Sequence, residues 1–164
     1  MSELHIICGP AGVGKSTYGK KLAKELGACL LDSDTVTEPV VRAGMELGGE
    51  NPDDRDSMVY RRAFRDPVYE CLFATAAENL PHGSVVIIGP FTSEMRDPDW
   101  PARLRERFGV EIKVLFANCE EEERKKRIQE RGNPRDNLKL NDWDHYLETT
   151  NVRPPVFPHR ELRT

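Results

Sequence analysis

Gly9-Pro10-Ala11-Gly12-Val13-Gly14-Lys15-Ser16 follows directly on Leu4-His5-Ile6-Ile7-Cys8 and runs on into Thr17-Tyr18-Gly19-Lys20-Lys21-Leu22-Ala23. The octet fills every defined position of G-x-x-x-x-G-K-[ST], and it stands after an apolar strand and before a helix, where that pattern works as a phosphate loop. Its glycines let successive backbone N–H groups turn inward around a polyphosphate. The helix opening at Lys15 adds the partial positive charge of its first turn. Lys15 is expected to reach the β- and γ-phosphates, and the Ser16 hydroxyl to ligate Mg²⁺. ATP and Mg²⁺ are the implied cofactors, held by Gly9, Ala11, Gly12, Val13, Gly14, Lys15, Ser16 and Thr17.

After the loop, Tyr18, Leu22, Ala23 and Leu26 recur at helical spacing, and Gly27 closes the helix as a C′ glycine. Residues 28–31 are short and apolar enough to be a second strand. Strand, turn, helix and strand within about 30 residues make a βαβ unit. Residues 35–81 read as helical, broken near Gly48-Gly49, Asn51-Pro52 and Asp66-Pro67. A third strand follows at 84–88, where Val85-Val86-Ile87-Ile88 has the unbroken β-branched character of a parallel strand covered on both faces. A helix over 100–108 ends at Gly109, a fourth strand spans 111–117, and Asn118 is placed to cap a helix through about Arg131 with Glu121 in the capping-box position. Residues 152–164, with Pro154, Pro155 and Pro158, read as an irregular tail. The succession predicts a three-layer α/β/α domain on a parallel sheet.

The whole chain of 164 residues is the size of one domain, and its 24 Lys and Arg against 28 Asp and Glu give a net charge of −4. That sign disfavours a protein that wraps duplex nucleic acid. No apolar run exceeds the length of Val85–Ile88, far below the ~20 residues of a membrane helix. The start Met1-Ser2-Glu3 leads straight into the first strand, leaving no room for a signal peptide and pointing to the cytoplasm. Cys8, Cys29, Cys71 and Cys119 have no metal-binding spacing and are expected as buried thiols.

The chain carries no N-K-x-D guanine signature, and its third strand ends Ile88-Gly89-Pro90 without the acidic pair of motor ATPases. Acids stand instead at the end of strand two, as Asp32-Ser33-Asp34. In a parallel sheet that end lies beside the phosphate loop. One carboxylate there can organise magnesium while the other accepts a proton from an attacking hydroxyl. Asp34 is equally suited to cap a helix beginning at Thr35.

The phosphate loop, Asp32-Ser33-Asp34 and the spacing Arg127-x-x-x-Arg131 together resemble the small P-loop kinases related to shikimate and gluconate kinase, a plan shared by zeta-toxin, chloramphenicol phosphotransferase and polynucleotide kinase proteins. The likeness covers roughly residues 4–136. It implies a core of residues 1–34 and 84–124, acceptor-binding helices over 35–81, and a mobile lid at about 125–137 turning at Gly132 and Asn133-Pro134. It further implies that Asp32 organises Mg²⁺, that Asp34 binds and deprotonates the acceptor hydroxyl, and that Arg127 packs near the adenine. Arg131 belongs to the closing lid, where it stabilises the charge of transfer, with Arg135 a second candidate on the nucleotide. Gly89 lets the acceptor approach the backbone. The family's fifth strand has no clear counterpart here. Arg124 is expected on an exposed helix face, and Trp143 and Tyr146 are expected to pack inward.

The implied acceptor segment holds Arg42, Arg55, Arg61, Arg62 and Arg65 among Tyr60, Phe64 and Tyr69, and Arg96 follows the third strand. Arg62 and Arg96, with Asp34 and Gly89, are the expected acceptor contacts. Guanidinium groups there suit a carboxylate or phosphate on a small hydroxyl compound. The leading expectation is therefore an ATP-dependent phosphotransferase acting on the hydroxyl of a small metabolite, natural product or antibiotic. A 5′-hydroxyl nucleic-acid kinase and a non-catalytic ATP-binding regulatory module are the alternatives.

Overall fold

The computed structural model describes residues 1–150 and 152–164. Five parallel strands stand in the order β2-β3-β1-β4-β5: β1 (Glu3–Cys8), β2 (Cys29–Asp32), β3 (Val85–Ile88), β4 (Glu111–Asn118) and β5 (Arg160–Arg163). The helices are α1 (Lys15–Leu26), α2 (Ser33–Leu47), α3 (Met58–Ala63), α4 (Arg65–Asn79), α5 (Trp100–Phe108), α6 (Glu121–Arg131), α7 (Asn137–Asn141) and α8 (Trp143–Thr150). The expected three-layer α/β/α architecture is present.

The inner strands β3, β1 and β4 are more deeply buried than the edge strands β2 and β5. Leu4, Ile6, Ile7 and Cys8 of β1 and all four residues of β3 are buried, because helices cover both faces. On one face Leu4, Ile6 and Cys8 join Leu72, Ala76 and Leu104 in the larger core. On the other, Ile7, Val86, Ile88 and Leu115 pack under Ala23 of α1. Gly19 lets α1 lie this close, since a Cβ there would stand 2.3 Å from Ile88 Cδ1 and 3.2 Å from Ile7 Cδ1. Gly19→Ala is thus expected to cost about 1–3 kcal/mol by overpacking, read as a lower midpoint in urea unfolding.

Three local expectations change. The tail is not wholly irregular: Arg160–Arg163 pairs with β4 as the fifth strand, at the sheet edge, where the prolines before it remove no ladder bond. Only Leu162 of this strand is buried, and charged neighbours suit an edge. Asn118 is the last residue of β4 and does not cap α6; its carbonyl accepts from the Thr164 backbone N–H. Among the thiols, Cys8 is buried, Cys29 and Cys119 are partly so, and Cys71 is exposed.

Candidate active site

The carboxyl ends of β1, β2 and β3 meet at one edge of the sheet, bringing the phosphate loop, Asp32-Ser33-Asp34 and Gly89-Pro90 to a single cleft of about 1200 Å³. Ala11, Gly12, Gly14, Lys15, Ser16 and Thr17 line its floor. The loop's shape needs glycine: Gly12 sits at φ 81°, and a Cβ there would stand 2.9 Å from the Arg124 carbonyl oxygen on α6.

Lys15 Nζ donates to the carbonyls of Gly9 (2.8 Å) and Pro10 (2.6 Å), so the ammonium is held inside the loop. Burial there pushes its pKa down to about 8, against the pull of Asp34. Ser16 Oγ donates to Asp32 Oδ2 at 2.6 Å, joining the loop hydroxyl to the acid of β2. The other oxygen of Asp32 accepts from the backbone N–H of Asp34 at 3.1 Å and caps α2, which begins at Ser33. Asp32 is therefore the helix cap, and the Asp34 carboxylate is exposed at the cleft.

The hydroxyl and carboxylate oxygens of Ser16 and Asp32 are the hard donors that Mg²⁺ takes. Among the described residues no group of three or more His, Cys, Asp or Glu forms a metal site. The donor set fits a magnesium ion completed by phosphate oxygens and water.

The arginines divide differently from expectation. Arg127 stands beside the loop, bonded to Glu123 Oε1 (2.8 Å) and to Thr164 Oγ1 (3.2 Å). Thr164 Oγ1 in turn donates to the Val13 carbonyl at 2.6 Å, so the residue after β5 braces both loop and arginine. Sequence reasoning missed Thr164, because nothing local in a proline-rich tail marks its approach to Val13. Arg131 lines the cleft, but its guanidinium is gripped by Asp136 at 2.5 and 2.8 Å. Burial opposes ionisation of Asp136, yet the Arg131 bonds and Lys139 outweigh it and hold the carboxyl below its usual range. Arg135 reaches α2 rather than the loop, bonding Asp34 Oδ1 (3.2 Å) and Glu38 Oε2 (2.5 Å).

Arg55, Arg61, Arg65 and Arg96 also line the cleft, as does Gly89. Arg62 is exposed and not among the lining residues. Arg96 is fixed by bonds to the carbonyls of Arg153 (2.7 Å) and Pro154. A Cβ on Gly89 would meet the Phe91 ring at 2.9 Å, and Phe91, at φ 47°, is pinned by its N–H to Tyr69 Oη at 3.1 Å.

Arg124 is buried, against expectation. Its guanidinium lies 5.5 Å from the Trp143 ring centroid, because α8 folds back on α6 and Trp143 Nε1 donates to Glu121. Trp143 and Tyr146 pack on Ile128 and Ala11, as an inward-facing pair should.

The family described as an AAA domain matches residues 4–152. The chain belongs to it. Cytidylate kinase of Afipia carboxidovorans is 37% identical over 67 residues, 38% of this chain and 32% of that enzyme. Shikimate kinase of Actinobacillus succinogenes is 51% identical over 41 residues, 25% of this chain and 22% of that enzyme. The chain thus aligns with about a third or less of the length of these curated relatives. The crystal structure of a sugar kinase from Janibacter sp. superposes with a TM-score of 0.63 at 20% identity, over 99% of this chain and 86% of the other. The resemblance to small P-loop kinases holds in these relatives and in the fold. Among the described residues, no helix is long and apolar enough to cross a membrane.

Proposed function

We propose that the chain transfers the γ-phosphate of MgATP to a hydroxyl of a small molecule. The observation that carries this reading is the junction of Lys15, Ser16 and Asp32 in one cleft with the neighbouring Asp34 and a set of arginines. A binding module needs the first half of that arrangement, and a phosphotransferase needs both.

The acceptor hydroxyl, seated between Gly89 and Asp34, forms a bond to the γ-phosphorus as the bond to the leaving ADP oxygen breaks. Asp34 takes the hydroxyl proton. Lys15 and the loop amides hold the charge that spreads over the phosphate oxygens. Ser16 and Asp32 would hold magnesium, which when bound would supply further charge neutralisation. Arg127 borders the nucleotide, and the segment carrying Arg131 and Arg135 screens the cleft from water. Arg96, whose protein bonds described above go to neutral carbonyls, suits an acceptor bearing a carboxylate or phosphate.

The test is ATP consumption with and without a panel of sugars, sugar acids, nucleosides, aminoglycosides and 5′-hydroxyl oligonucleotides. Consumption slow alone and accelerated by one small compound supports the reading. Acceleration by oligonucleotides alone, or flat consumption across the panel with ATP retained, overturns it.

The Lys15 ammonium gives a pH dependence with a definite sign. Its pKa lies below the ordinary lysine value of 10.5, so the free protein loses the charge as pH rises through about 8. The kcat/KM for ATP is expected to fall there, while kcat at saturating ATP holds to higher pH, because bound phosphate keeps the proton on. From about 8 to 10.5 the unfolded chain binds the extra proton, so this site's contribution to stability rises with pH.

A further inference from the structure

Glu38 stands one helical turn after Asp34 on α2, with both carboxylates on the face that borders the cleft. Its Oε1 accepts from Arg55 Nη2 at 2.7 Å, and its Oε2 from Arg135 Nη1 at 2.5 Å. Arg55 comes from the connection before α3 and lies over the Tyr60 ring, 5.2 Å from its centroid. Arg135 comes from the short turn Pro134–Asp136 after α6, on the far side of the cleft and 97 residues along the chain. One carboxylate thus joins the acceptor wall to the segment that covers it.

Two guanidinium groups on the same carboxylate are a few ångströms apart and repel each other in a partly desolvated place. The side chains of Arg55 and Arg135 are only 13% and 16% exposed. Glu38 makes their approach favourable, with charge-assisted bonds that are short and protected from water. Asp34 also touches Arg135, but at 3.2–3.3 Å and with 64% of its side chain exposed, so solvent weakens that contact.

We infer that Glu38 is a positioning residue that holds the covering segment across the cleft through Arg135, so that Asp34 can release Arg135 to an incoming hydroxyl without the segment lifting away. The division of labour between the two acids, in which Glu38 retains and Asp34 exchanges, rests on the phosphotransferase reading for the occupant of Asp34. The mechanical role of Glu38 does not.

Amide hydrogen exchange on the intact protein, with neither nucleotide nor acceptor, tests it. Glu38→Gln is expected to speed exchange of the amides over 135–141 by at least about tenfold, while β1, β3 and β4 keep their protection. Arg135→Gln should do the same, and combining the two should add nothing further. Asp34→Asn should change this region less than about threefold. Unchanged exchange in Glu38→Gln or in Arg135→Gln, or equal release by Asp34→Asn, overturns the inference. Should Glu38→Gln fail to fold, Arg135→Gln against Asp34→Asn decides alone. Failure here leaves phosphotransfer untouched, and an inactive panel assay leaves this result standing.

Discussion

Asp34→Asn is expected to bind MgATP as the unaltered protein does and to transfer phosphate about 10²–10⁴-fold more slowly, the usual loss when a general base is removed. The substitution keeps the size of the side chain and removes the proton acceptor. The structure makes this a sharp test, because Asp32 supplies the cap of α2 and Asp34 contributes only its backbone N–H to that cap. The helix should therefore survive, and the melting temperature should stay close to that of the parent. Single-turnover transfer and calorimetric ATP binding, measured on one preparation, separate the two effects. Intact transfer would assign Asp34 to its contact with Arg135 and remove it from the chemistry.

Lys15→Ala is expected to lower affinity for ATP and turnover together, by about 10²–10³ in kcat/KM, the scale on which a donor aimed at developing charge counts. Lys15 Nζ reaches two carbonyls of its own loop, so the substitution also removes an internal brace. Lys15→Met keeps the aliphatic stem but also lacks Nζ, so its comparison with Lys15→Ala separates packing of the stem from loss of the ammonium with its bonds. A loop that holds its shape but lacks the charge loses binding while its melting temperature stays unchanged. Retained ATP affinity in both variants would overturn the reading of the phosphate loop.

The first half of the site was legible in the residues because it is built from near neighbours. Gly9 to Ser16 turn on themselves, and the two acids of Asp32-Ser33-Asp34 need only a strand end to present them. Asp32 and Asp34 both reach the cleft, though the capping role fell to Asp32, because α2 begins two residues earlier than its apolar spacing implied. The arginines were harder to read. Arg62 and Arg65 look alike in sequence, yet Arg62 faces solvent while Arg65 lines the cleft and pairs with Glu94 at 2.7 Å. A long cationic side chain takes whatever carboxylate the fold delivers, and local spacing does not say which.

The order of the first four strands with the helices between them, the phosphate loop and the acids beside it follow from short-range physics: apolar periodicity, glycine at positive φ, and the direction of a strand end. The partners around the site come from contacts between different elements. Asp136 holds Arg131, Trp143 covers Arg124, Thr164 braces Val13 from 151 residues away, and Glu38 gathers Arg55 with Arg135. In each pairing, charge and hydrogen bonding choose among the groups that the packing of separate elements brings within reach.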